Sequence, residues 1–469
     1  MNTPLAFAPI TELSRRLRAG DVSTTQLIDV YAERIERYAD ISKAFISLDL
    51  EAARRKAEMA DNSANYSPNY SPNYSPDNNT DNQLALKGIP YACKDLFDVA
   101  GMVTTGGSRV LQDAVAEHDA DTIQAMNQAG AICLGKNNLH EFAYGATGEN
   151  VLYGTAPNPY DHSRLAGGSS SGSAAALGFG LCAATLGTDT GGSVRAPAAL
   201  CGLVGFKPTF GRISTAGVLP YSWTLDHVGT LTRSAADAAI LFKALLPGAR
   251  DISNVDLQGQ VIGIPREFFF ARCDSEILDS IDALMVFLRS AGAELTPISM
   301  PSMEHTRTVS LTVQMPEALS FHNRYLEERG HLYSQDFRAG LALGQCLLAE
   351  QYIRAKRFIE RYRREMDAIF ADVDLILTPA TPVIAPPIGA VEVSVDGSSE
   401  AAGNAITRYT SFFNMTGHPA ITLPCGMHSA GLPVSAQFIG KHYADEQLLA
   451  LASRIEAAYD FTLPLPELS

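Results

Sequence analysis

Two serine-bearing glycine turns, 24 residues apart and joined by one alanine-rich apolar run, constrain this chain more than any other feature. They lie in Gly167 to Pro197, GGSSSGSAAALGFGLCAATLGTDTGGSVRAP. In the second turn, Thr188-Asp189-Thr190-Gly191-Gly192-Ser193, adjacent glycines reach dihedrals closed to other residues and allow several amides to converge on one point. That arrangement suits an anion hole formed by Thr190, Gly191, Gly192 and Ser193, with the Ser193 hydroxyl at its edge as an attacking oxygen. The first turn, Gly167-Gly168-Ser169-Ser170-Ser171-Gly172, adds hydroxyls but no group that takes up a proton at neutral pH. A base must come from elsewhere.

Lys94 ends the apolar run Gly88-Ile89-Pro90-Tyr91-Ala92-Cys93, where alternation places it on the same strand face as Ala92. Buried without a carboxylate, a lysine loses its proton readily and becomes a usable base. The competing reading is a surface lysine paired with Asp95. Cys93, on the opposite strand face, reads as core.

The residues from Gly167 to Ala198, the block GIPYACKDLFDVAGMVTTGGS around Lys94 and the block GLVGFKPTFGRIS at Gly202 to Ser214 together resemble the amidase signature family. The likeness runs from about Ile10 to about Tyr459. It implies a Ser/cis-Ser/Lys triad of Lys94, Ser169 and Ser193, with Ser169 as the bridge and the peptide bond before it cis. It assigns supporting roles to Ser170, Asp189 and Arg195. It also implies one amidase domain over 1–469, built on a large mixed twisted α/β sheet with helices on both faces. Helical periodicity marks an N-terminal helical layer over 9–60, and the resemblance further implies a signature core over 84–246 and a C-terminal region over 260–460 whose helical segment 309–370 shapes the substrate pocket. Tyr144, Trp223, Met315 and Arg338 are the pocket candidates.

Other motifs fit less well. Gly168 to Gly172 matches the G-x-S-x-G elbow, with Ser170 as nucleophile, but Tyr160-Asp161-His162-Ser163-Arg164 is polar where the elbow needs a buried strand. Asp226-His227 is the adjacent pair that suggests a Ser/His/Asp triad, yet sequence neighbours seldom face each other, and His227 reads as a loop residue. Gly178 to Ala183 fits a loose G-x-G-x-x-A that reads as helix packing. No H-E-x-x-H, S-x-x-K or Walker A pattern occurs, so neither a metal nor a cofactor is expected.

The charge balance of 36 basic against 51 acidic residues disfavours nucleic acid and anionic membranes as partners. Seven cysteines without a C-x-x-C pair suggest reduced thiols, and no signal peptide or membrane span is evident in the sequence. A cytoplasmic enzyme acting on a small-molecule amide is the expectation, with the N-terminal helices available for a homodimer contact. Periodicity predicts helices at Ile10 to Ala19, Thr24 to Tyr38, Glu51 to Met59, Ala120 to Ala129 and Glu276 to Ala291, with Pro316 to Phe370 mainly helical. Strands are expected at Ala131 to Leu134, Val261 to Ile264, Asp374 to Pro379, Pro419 to Pro424 and Pro433 to Ile439. A threefold NYSP repeat within 62–82 reads as a polar surface loop.

Within the family, the resemblance leaves two enzymatic alternatives. One is a stand-alone amidase acting on an aryl-acetamide, urea-like or other small amide, which Glu317-Ala318, Phe321-His322, Tyr333 and Arg338 resemble. The other is the glutaminase subunit of a tRNA-dependent amidotransferase, whose A-R-Y-D-G block is missing here and whose acidic residue for glutamine's amino group aligns with Thr407. A catalytically silent binding protein is the alternative of a different class, and the intact triad counts against it.

Overall fold

The computed structural model describes residues 4–62, 86–250, 255–300, 303–459 and 461–468. The NYSP repeat lies outside the described residues. Nine strands run from β1 to β9 in chain order: β1 Phe45–Leu48, β2 Pro90–Lys94, β3 Ile132–Asn137, β4 Ala184–Asp189, β5 Val204–Lys207, β6 His227–Thr232, β7 Val261–Ile264, β8 Glu294–Pro297 and β9 Leu375–Pro379. They are followed by β10 Glu392–Val395, β11 Ser398–Ala401, β12 Ala420–Met427 and β13 Pro433–Gly440. Eleven of these make one sheet in the order β1-β3-β2-β4-β6-β5-β12-β13-β9-β7-β8, and β10 and β11 form a separate hairpin. The sheet is mixed: β3, β2 and β4 are parallel neighbours, as are β9, β7 and β8, and antiparallel pairs link these two groups.

The expected strands and helices occur with ends shifted by a few residues. Val261–Ile264 and the helix Ile10–Ala19 fall where periodicity puts them, and the second helix continues to Ser42 under a Ser23 capping box. Two features depart from expectation. Phe45–Leu48 is an edge strand, too short to stand out from its flanks. His227, read as loop, opens β6 and is buried.

The alanine-rich run between the serine turns divides into a helix and a strand. Helix Ser171–Gly178 is buried along its whole length, which only small side chains allow so close to a sheet. A Cβ on Gly172 would lie 2.5 Å from the Asn138 backbone. The chain turns at Gly180, φ +68°, and returns as β4. Because β2 and β4 are parallel neighbours, Lys94 at the end of one and the glycine turn after the other emerge on the same sheet edge. Ligand sites of open α/β sheets form beyond such carboxyl ends.

Candidate active site

Lys94 is fully buried, and its Nζ donates to Ser169 Oγ at 2.7 Å and to Thr188 Oγ1 at 2.8 Å. Desolvation lowers its pKa from 10.5 to about 7, against a weaker upward pull from the charges of Asp226 and Asp189. Asp95 does not neutralise it. Successive residues at a strand end point to opposite sides, and Asp95 instead forms a buried ion pair with Lys136 at 2.8 Å.

The peptide bond Gly168-Ser169 is cis. Gly168 packs so closely that an added Cβ would sit 2.6 Å from the amide nitrogen of Gly148. Ser170 N donates to the Ser193 carbonyl at 3.3 Å, tying the two serine turns together. No hydrogen bond joins Ser169 Oγ to Ser193 Oγ among the described residues; such bonds often tighten only in the substrate complex.

Asp189 organises the second turn. Its carboxylate accepts from the amides of Gly192 at 2.8 Å, Val194 at 3.2 Å and Arg195 at 3.3 Å. The Arg195 guanidinium binds it through Nε at 3.0 Å and Nη2 at 2.9 Å, and reaches Gln437 and Asn414 at 2.7 and 2.6 Å. Burial alone would raise Asp189's pKa, but Arg195, Lys207 and Asn414 outweigh it and hold the carboxylate below its ordinary value. One expectation needs correction here. The Gly192 amide faces Asp189, so it is not available to an oxyanion, whereas the amides of Thr190, Gly191 and Ser193 are unengaged among the described residues.

A cavity of about 490 Å³ opens onto Ser193, with Thr190 and Gly191 beside it, a size suited to a small molecule. Tyr144 and Met315 line it, as expected, and so does Thr407. Arg338 and Trp223 do not. Arg338 is exposed on helix Gln335–Cys346, whose buried face is Phe337, Gly340, Leu341 and Gly344. Trp223 is 49% exposed and borders a separate cavity of about 230 Å³ with Thr188, Asp226 and His227. The arginine on the wall of the Ser193 cavity is Arg307. It sits in the first turn of helix Thr306–Arg329, and no sequence signal ties that turn to the serine turns.

The rival motifs do not assemble. Ser170 Oγ is buried and donates to the Thr188 carbonyl at 3.3 Å, and among the described residues no strand runs directly into its turn, the nearest before it being Ile132–Asn137. His227 Nδ1 faces the carbonyls of Leu225 and Asp189 at 2.7 and 3.1 Å, while Asp226 accepts from Thr190 Oγ1 at 2.5 Å. Burial depresses the His227 pKa well below its ordinary value. Glu317 and His322 are structural: Glu317 accepts from Ser222 and Tyr352 at 2.7 and 2.8 Å, and His322 Nδ1 lies 3.0 Å from the Tyr333 hydroxyl. Away from the cavity, Asp367, His418 and His442 bring potential ligand atoms within 4.8 Å of one another. The two imidazoles stack with centroids 3.7 Å apart and planes inclined by 22°, so their in-plane lone pairs lie one above the other rather than converging, a poor geometry for sharing an ion. All seven cysteines are free thiols, and no described helix is long and apolar enough to cross a membrane.

A buried lysine hydrogen-bonded to the Ser169 hydroxyl, with Ser193 beside unengaged amides, is an arrangement suited to acyl transfer from nitrogen to oxygen. A family model described as Amidase matches residues 26–449, and the chain belongs to the amidase family, enzymes that hydrolyse carbon–nitrogen bonds. The chain is 32% identical over 495 residues to a component of the glutamyl-tRNA(Gln) amidotransferase of Chromohalobacter salexigens, with 97% of this chain and 98% of that one covered. A crystal structure of an amidase shares 34% identity at a TM-score of 0.88, covering 96% of this chain and 100% of the other. A structure described as revealing the origins of an s-triazine catabolic enzyme shares 29% identity at a TM-score of 0.87, covering 97% and 100%.

Proposed function

We propose that the chain hydrolyses a small-molecule carboxamide or urea-like amide to an acid and ammonia or an amine, through an acyl-enzyme on Ser193. The observation that carries this reading is Lys94, buried without a carboxylate contact and 2.7 Å from Ser169 Oγ. Ser193 Oγ attacks the amide carbonyl as its proton passes through Ser169 to neutral Lys94. The amides of Thr190, Gly191 and Ser193 stabilise the oxyanion. The carbon–nitrogen bond then breaks, and the leaving nitrogen takes the proton back through the same relay. Water attacks the ester, its proton returns to Ser193 Oγ, and the acid leaves. Asp189 and Arg195 hold the turn in shape, and Ser170 supports it from below.

The second reading is the ammonia-releasing subunit of an amidotransferase, and the curated relatives favour it over a stand-alone enzyme. The presence of Thr407 in the cavity, where that reading calls for an acid, supports the stand-alone one. Ammonia release from a panel of aliphatic amides, aryl amides, ureas and glutamine, using the chain alone and a Ser193→Ala control, separates them. Ser193-dependent release from a non-glutamine amide supports the stand-alone enzyme; release from glutamine alone supports the amidotransferase reading. Release that persists in Ser193→Ala overturns both.

A further inference from the structure

The cavity that opens onto Ser193 holds a charge for which amide hydrolysis alone has no use. Arg307 lines it from the first turn of helix Thr306–Arg329, a turn with no acidic residue. A helix N-terminus carries partial positive charge, so a guanidinium there is repelled rather than compensated. Among the described residues Arg307 makes no hydrogen bond and no ion pair. Its electrostatic neighbours are the Tyr221 and Tyr144 phenols, whose rings lie 6.2 Å apart across the cavity wall. Its side chain is solvent-accessible, yet protein surrounds it closely enough that desolvation lowers its pKa.

The other charges of the cavity do not satisfy it. Asp336 is the one carboxylate among the described lining residues, and it sits in the first turn of helix Gln335–Cys346, where the helix end compensates it. His140 is kept neutral by burial, its pKa down at about 4.

Helix Thr306–Arg329 also sets a direction. Arg307, Ser310 and Gln314 share one face at i, i+3 and i+7, and all three line the cavity. Gln314 Nε2 donates to Ser310 Oγ at 2.7 Å and lies beside Gly191, 3.8 Å from where a Cβ on that glycine would be. The face therefore starts at the serine turn and reaches Arg307 seven residues away, about 10 Å along the helix axis at 1.5 Å per residue.

Resting on the amide-hydrolysing reading of the site, we propose that Arg307 binds a carboxylate at the end of the substrate's acyl chain remote from the scissile carbonyl. The preferred substrate class is then small amides that carry a distal anion, such as monoamides of dicarboxylic acids. Ser310 and Gln314 offer polar contacts along the chain between the two ends.

Isothermal titration calorimetry on Ser193→Ala, which binds without turnover, tests this with succinamate, glutaramate and adipamate, each against its neutral diamide. At least one monoamide is expected to bind about 10- to 100-fold more tightly than its diamide, the range of a charge-assisted hydrogen bond. Adding Arg307→Gln should erase that preference, and Arg307→Lys should restore part of it, with folding followed by circular dichroism. No binding of any monoamide, equal binding within all three pairs, or a preference that survives Arg307→Gln overturns the proposal. Ammonia release by the unmutated chain is recorded separately. Its absence alongside a preserved anion preference would sink the hydrolytic reading and leave the anion site standing.

Discussion

Lys94 Nζ lies 2.7 Å from Ser169 Oγ, and the carboxylate next to Lys94 in sequence is committed to Lys136. This division of partners leaves Lys94 without a neutralising neighbour and lets burial bring its pKa to about 7. Activity should therefore rise with pH through about 7 as the amine becomes neutral. A kcat/KM profile flat from pH 5 to 9 would remove Lys94 from the base role. Lys94→Ala should cost nearly as much as loss of Ser193, because groups acting as a unit are not additive.

Thr188 Oγ1 accepts a second hydrogen bond from Lys94 at 2.8 Å. An acceptor favours the charged amine, so Thr188→Val should move the acidic limb of the pH profile to lower pH while the enzyme keeps turning over. An unmoved or raised limb would show that this contact does not tune Lys94.

The same lysine leaves a mark on stability. Between about 7 and its ordinary 10.5, the unfolded chain binds a proton that the native state does not. Stability must rise with pH across that window. Urea unfolding of the wild-type chain and Lys94→Met at pH 7 and pH 9 should show the wild type gaining relative to the variant at the higher pH. Equal gains would contradict the buried, neutral amine.

Asp189 and Arg195 form a fully buried pair at 2.9 Å. Arg195→Ala leaves the carboxylate charged and unpaired, a change that costs about 3–5 kcal/mol. Arg195→Lys should recover little, because a single ammonium cannot reproduce the forked contacts to Asp189, Gln437 and Asn414. Denaturant unfolding gives the answer, and a loss under 1 kcal/mol for Arg195→Ala would show the pair to be dispensable.

The sequence itself points to Ser193 because its hydroxyl sits on a short, rigid glycine turn, whereas Lys94 as base and Ser169 as bridge rest on the family resemblance, since a lysine beside Asp95 reads equally as a surface ion pair. It could likewise place β7, β9 and β13, whose apolar runs are bounded by prolines, glycines or charges. Other features depend on packing between distant segments. That the Gly192 amide meets Asp189 rather than the cavity depends on how the turn closes, which the glycines permit but do not dictate. His227 follows an aspartate and reads as loop, yet the ladder with β4 makes it a strand residue. Arg338 was legible in part. It follows Phe337, and on a helix whose buried stripe is Phe337, Leu341 and Gly344 the next residue turns away by roughly 100°. Arg307 could be assigned to the cavity only once helix Thr306–Arg329 was laid against the serine turn.

Trapping the acyl-enzyme tests the central claim most directly. The chain is quenched in acid during turnover of an amide it hydrolyses, digested, and analysed by mass spectrometry. The account predicts the acyl mass on Ser193 and its disappearance, with all ammonia release, in Ser193→Ala, while Ser170→Ala still turns over. An adduct on Ser170, or undiminished turnover by Ser193→Ala, would contradict it.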